Sequence, residues 1–243
     1  MCTRIGTVVK QNAQDVGVFK LRCKSWSCPD CSRMRRRTLI REVKDGRPNR
    51  FITLTVNPNW FDSPEDRAAR LAKAWRLVVA AYRHKFPTRE AEYTAIFEAT
   101  AKGEPHLHIA WRGGFVPQAW LAAQMRKRMG APVVDVRKIH RANKVAEYVT
   151  KYISKRAIKF GTCKRYWRSK RYLAVSPRQS RRERNAGCRF YRSERHIVSY
   201  MRFVLSMGFT IHIERPDAFS FRLSTGMSSP PCWFEDEGAL VEV

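Results

Sequence analysis

Glu92-Tyr93-Thr94-Ala95-Ile96-Phe97-Glu98, a turn through Thr100-Ala101-Lys102-Gly103, and Pro105-His106-Leu107-His108-Ile109-Ala110-Trp111-Arg112 read as two strands joined in a hairpin. Tyr93, Ala95 and Phe97 share one face of the first strand. In the second, the period of two puts His106 and His108 on one face and Leu107 on the other. Glu98, eight residues before His106, lies across the hairpin and reaches the same face. Two imidazoles and a carboxylate leave open positions on a divalent ion, the form a catalytic site takes. The mixed donors suit Mn²⁺ or Mg²⁺, and the imidazoles alone also suit zinc. A single strand histidine more often has a structural role, but Glu98 at matching reach favours a site.

Outward from the hairpin, the pattern alternates. Upstream, Arg50 to Asn57 is a strand with Phe51, Ile52, Leu54 and Val56, ended by Pro58. Ser63-Pro64-Glu65-Asp66 then supplies an N-cap, a first-turn proline and early acids, so a helix begins there. Leu71, Trp75, Val78, Val79, Tyr82 and Phe86 form its core stripe. Downstream, Pro117 to Met129 reads as a second helix stopped at Gly130, and Val133 to Val136 as a fourth strand. Lys144 to Arg156 reads as a third helix with Val145, Val149 and Ile153 inward. On it Tyr148 and Tyr152 lie one turn apart on one face, each followed three residues later by a lysine, Lys151 and Lys155. A lysine near a phosphate stabilises developing charge and helps activate a phenol, which makes either tyrosine a candidate nucleophile. Tyrosines packing at a core edge are the competing reading.

Composition names the electrophile. Lys and Arg outnumber Asp and Glu by 48 to 21, a net charge of +27 in 243 residues that are 44% hydrophobic. A globular chain with this excess repels itself and suits a polyanion, nucleic acid above all. No stretch approaches the roughly 18 apolar residues of a membrane helix, and the first residues lack the apolar run of a secretory signal. Seven cysteines, three of them clustered, fit a reducing cytoplasm with a metal site better than a disulfide framework.

That cluster is Cys23, Cys28 and Cys31, the last two in a Cys-Pro-Asp-Cys turn. It reads as three ligands of a structural Zn²⁺, with Cys2 the first candidate for the fourth and Cys163 and Cys188 behind it. A redox Cys-x-x-Cys is the competing reading, disfavoured by the nearby Cys23 and the lack of a flanking βαβ pattern. A basic helix follows, with Arg35, Arg36 and Arg37 placed for phosphate contacts. After Phe160, Lys164, Arg165, Tyr166, Trp167, Arg168, Lys170 and Arg171 interleave charge and rings in the manner of a single-strand binding segment. The sequence therefore divides into 1–47, a Cys-rich zinc element and basic helix; 48–160, the core; and 161–243, a basic DNA-binding extension with an acidic tail. No GxxxxGK[ST] loop is present, so a helicase would be a separate partner.

Three of these elements, in this order, resemble the motifs of HUH endonucleases, specifically rolling-circle replication initiators of small phages and plasmids. Phe51-Ile52-Thr53-Leu54-Thr55 resembles motif one, Pro105-His106-Leu107-His108-Ile109 motif two, and the YxxK steps from Tyr148 and Tyr152 motif three. The resemblance covers about residues 20 to 175 and rests on the combination of motifs. It implies an α+β, RRM-like fold with a central antiparallel sheet and helices packed on one face, and it puts Glu98 in the place of the third metal ligand. It implies nicking of single-stranded origin DNA in a bacterial cytoplasm, with a 5′-phosphotyrosine, a free 3′-OH for host polymerase, later rejoining by the second tyrosine, and a host helicase. A transposase or relaxase is the alternative within the same chemistry. A non-catalytic, zinc-stabilised single-strand-binding module is the alternative outside it.

Overall fold

The computed structural model describes residues 6–11, 16–131, 133–139, 159–193, 196–208, 210–215, 220–223 and 241–242. The helix expected over 144–156, with Tyr148, Lys151, Tyr152 and Lys155, lies outside them, as does Cys2. Among the described residues the chain is a mixed α+β protein with five helices and two antiparallel sheets. It forms two compact units, Met1–Arg33 with Pro177–Val243, and Met34–Ser176.

The second unit is the one organised around the hairpin. Its sheet runs β6-β3-β5-β4-β7, from β3 (Arg50–Leu54), β4 (Ala91–Ala99), β5 (Pro105–Gly113), β6 (Val134–Lys138) and β7 (Tyr166–Arg168). One sheet face carries Ile52, Leu54, Tyr93, Ala95, Phe97, Leu107, Ile109 and Trp111, all buried. Against it pack α2 (Pro64–Lys85), through Leu71, Trp75, Val78 and Tyr82, and α3 (Gln118–Met129), through Leu121, Met125 and Met129. The Ser63 hydroxyl accepts from the Asp66 amide at 3.1 Å, so α2 starts where its N-cap sequence places the start. Gly130 ends α3 in the left-handed region, at φ 60°, with its amide bonded to the Arg126 carbonyl at 3.0 Å.

The other sheet face is covered as well, which departs from the one-sided packing expected. Helix α1 (Pro29–Asp45) buries Leu39 and Val43. Glu42 on it pairs with Arg168 at 2.6 Å, and the Val43 carbonyl accepts from the Tyr172 hydroxyl at 3.1 Å. Thr94 is the register partner of Arg168, so this contact lies on the side opposite the α2 and α3 core. The arginines of α1 dominate its sequence and mask the buried Leu39 and Val43 among them. Residues 161–176, assigned from sequence to the C-terminal extension, here contribute β7 to this sheet.

The first unit joins the two ends of the chain. Its six-stranded sheet runs β11-β8-β1-β2-β10-β9, from β1 (Thr7–Gln11), β2 (Val16–Lys20), β8 (Arg189–Ser193), β9 (Ile211–Arg215), β10 (Ser220–Leu223) and β11 (Val241–Glu242). Val9, Val16 and Val18 pack against Ile197, Tyr200 and Val204 of α5 (Ile197–Ser206). The remaining helix, α4 (Pro177–Arg184), buries no residue. Among the described residues no helix is long and apolar enough to cross a membrane.

Candidate functional site

Register assembles the site. β5 pairs antiparallel with β4 so that Glu98 faces His106 and Ile96 faces His108, and with β3 so that Thr53 faces His108. Residues directly opposite one another share a face, so Glu98, His106, His108 and Thr53 all lie on the side away from α2 and α3. His108 is 3% exposed and its Nε2 lies 2.6 Å from Glu98 Oε2. A carboxylate only accepts, so Nε2 carries the proton toward Glu98. In the neutral imidazole Nδ1 then accepts, and the Thr53 hydroxyl at 3.2 Å is its donor. Phe51 stacks on the His108 ring, centroids 5.5 Å apart and planes 22° apart.

His106 is placed beside this pair, its ring centroid 6.3 Å from that of His108. Glu98 and His108 are therefore in direct contact, and the three expected donors share a face without being drawn to one point. Their chemistry fits a divalent ion of the Mn²⁺ or Mg²⁺ type, two imidazoles and a carboxylate leaving open positions.

The turn before His106 is fixed from α2. Arg67, buried, grips Glu104 with two bonds, Nε to Oε2 at 2.7 Å and Nη2 to Oε1 at 3.0 Å. Its Nη1 also donates to the carbonyls of Phe61 at 2.7 Å and Pro58 at 3.0 Å. Phe61 holds φ 81°, a left-handed conformation costly for a residue with a side chain, and the Arg67 bond to its carbonyl helps hold it there. Glu104 closes the hairpin through its amide, which donates to Thr100 Oγ1 at 3.0 Å. One guanidinium thus links α2, the loop after β3 and the turn leading into the histidine strand.

A cationic group flanks the Glu98 end of β4. The Phe97 amide donates to the Arg165 carbonyl at 2.8 Å. Burial, and then the charges of Arg36 and Arg35, push the Arg165 guanidinium down to about 10, so it stays a cation at neutral pH. Arg35, Arg36 and Arg165, far apart in sequence, thus act electrostatically as one cluster. Their neighbours have structural roles. Trp167 packs on Phe97 with centroids 5.4 Å apart, and Arg168 is paired with Glu42. Burial pushes the Tyr166 hydroxyl up. The interleaved segment expected to track a single strand is therefore partly built into the sheet, because its alternate side chains fall on the two covered faces.

Cys23, Cys28 and Cys31 do converge. Among the described residues they are the one group of three such donors whose ligand atoms all lie within 4.8 Å of one another, and they could hold a metal ion such as zinc. Cys23 Sγ lies 3.5 Å from Cys31 Sγ, and the Ser25 amide points at Cys23 Sγ, also at 3.5 Å. Sequence reasoning found the thiols and the hairpin donors. It gave no role to Thr53, Phe51, Arg67 or Glu104. The position of Thr53 in a period-two strand was the available signal for its face, but its pairing with His108 needs the sheet order.

Residues 49–157 match the family model of the replication-associated protein ORF2, and in this segment the chain belongs to that family. The matched stretch contains β3, the hairpin and the Tyr148–Lys155 segment. No curated protein and no solved structure matches the chain.

Thr53→Val keeps the shape and removes the donor to a buried imidazole nitrogen. It is expected to lower stability by about 1–3 kcal/mol, with Thr53→Ser closer to wild type. Urea unfolding of the three proteins measures this; equal midpoints for wild type and Thr53→Val contradict the assigned hydrogen bond.

Proposed function

We propose that this replication-associated protein initiates rolling-circle replication by nicking single-stranded origin DNA through tyrosine attack. The observation that carries the reading is the shared face of Glu98, His106 and His108, with Glu98 Oε2 at 2.6 Å from His108 Nε2, inside the segment that matches the family model. Membership of that family supports a role in DNA replication. The net charge of +27 supports a nucleic-acid partner.

In this reading His106, His108 and Glu98 hold Mn²⁺ or Mg²⁺. The ion, when bound, supplies Lewis-acid polarisation of the scissile phosphate. Holding it at Nε2 requires His108 to move its proton to Nδ1. There the Thr53 hydroxyl, donor and acceptor both, turns to accept it. Tyr148 or Tyr152 forms the new O–P bond as the P–O3′ bond breaks, leaving a 5′-phosphotyrosine and, with the proton, a free 3′-OH. Lys151 and Lys155 stabilise charge on the phosphate. The second tyrosine or the 3′-OH later reverses the exchange without ATP. Arg35, Arg36 and Arg165 attract the strand to the Glu98 end of the sheet. A host polymerase extends the 3′-OH, and a host helicase opens the duplex. Cys23, Cys28 and Cys31 hold a structural Zn²⁺, with Cys2 as the fourth ligand.

A second reading has its own support. His108 is bonded at both ring nitrogens and buried, as a structural histidine would be, which suits a non-catalytic single-strand-binding module.

Incubation with end-labelled single strands spanning candidate origins and Mn²⁺, followed by denaturing gels, separates the two. A protein-linked 5′ product is expected from wild type and from whichever single Tyr→Phe variant retains the attacking residue, and none from Tyr148→Phe/Tyr152→Phe. No adduct from wild type across the whole set, with binding retained, gives the binding module. The zinc assignment predicts about one zinc per purified chain, lost in Cys28→Ser and on strong chelation with a fall in melting temperature. Metal analysis finding no zinc in a folded, reduced wild-type protein removes it.

A further inference from the structure

Helix α4 carries a charged face to which the fold gives no partner. Arg178, Arg181 and Arg182 are spaced three and four residues apart, so they project from one side, and Asn185 continues the line a turn later. With Ala186 these residues line a depression of about 560 Å³. All three arginines are exposed, and among the described residues no carboxylate pairs with any of them. Glu183, the one acid of the helix, is engaged instead by Gln179 at 3.0 Å. The helix dipole favours Arg181 and Arg182 in the last turn, but it opposes a cation at Arg178 in the first turn, which holds no acid. Like charges a turn apart further weaken a helix of eight residues. The stripe destabilises its own helix and buries nothing, and a bound polyanion would reverse the first effect.

We propose that this face is a docking site for the phosphate backbone of duplex DNA. Guanidinium forks match phosphate oxygens in pairs. Arg178 to Arg182 spans about 6 Å of helix axis, on the order of two nucleotide steps along one strand. Sites for single strands combine a basic groove with rings that stack on unpaired bases. No ring lines this depression, so its contacts stop at the backbone, as suits a duplex whose bases are already stacked. The site rests on the nucleic-acid part of the proposed function and is independent of the tyrosine chemistry.

The test uses the full chain, a duplex of about 20 base pairs and one of its strands, with affinity followed against salt by fluorescence anisotropy. For Arg178→Ala/Arg181→Ala/Arg182→Ala, the duplex slope of log K against log salt is expected to fall in magnitude by about 2 to 3, at about 0.9 for each phosphate no longer neutralised. The single-strand slope should change by less than about 1. The triple Lys variant, which keeps the charges, should stay near the wild-type slope. Because the side chains are exposed, circular dichroism should show the alanine variant folded. An unchanged duplex slope overturns the proposal, and so does an equal loss on both substrates. Wild type that binds neither substrate overturns the nucleic-acid reading along with it, whereas an unchanged duplex slope leaves that reading standing.

Discussion

The pairing of β5 with β3 on one side and β4 on the other, at one register, is the constraint on which the second unit depends. A slip of one residue would turn His106 and His108 into the α2–α3 core and bring Leu107, Ile109 and Trp111 out of it. Each unpaired polar group so buried would cost roughly 2–7 kcal/mol. Each large apolar side chain withdrawn would forfeit about 1.5–3 kcal/mol. The whole apolar core therefore enforces the face on which Glu98, His106 and His108 stand. The chemistry inherits its geometry from packing on the opposite side of the sheet.

Fine placement falls to two polar arrangements. Thr53, His108 and Glu98 form a chain across three strands that orients one imidazole, and Arg67 ties the turn before His106 to α2. Both are half-hidden or buried, where a hydrogen bond is strengthened and an unpaired group is expensive. Around them the cations Arg35, Arg36 and Arg165 repel one another. That repulsion opposes folding, and it gives a polyanion a place to bind.

Much of the second unit was legible in the sequence because its signals are local. Period-two alternation gave β3, β4 and β5, the Ser63-Pro64 start gave α2, and Gly130 gave the end of α3. The shared face of His106 and His108 follows from one strand alone, and the three clustered thiols follow from spacing. What the sequence hid depends on distant pairing. β1 and β2 are short and find their partners in β8 and β10, nearly the whole chain away. The inward Leu39 and Val43 of α1 are outnumbered by its arginines, and β7 looked like a free basic strand until its pairing with β4 placed Trp167 in the core. Thr53 gained its role only from the strand order, and Arg67 only from the turn it holds.

The measurement that bears most directly on the central claim is a Mn²⁺ titration of the zinc-loaded protein by electron paramagnetic resonance, beside His106→Ala and His108→Ala. A single saturable Mn²⁺ site in wild type, lost or weakened at least tenfold in each variant, is the predicted result, because each removes a donor from the same face. Equal Mn²⁺ binding in all three proteins would contradict the account. The histidines would then be satisfied structural residues, and the sheet face a surface for nucleic acid alone.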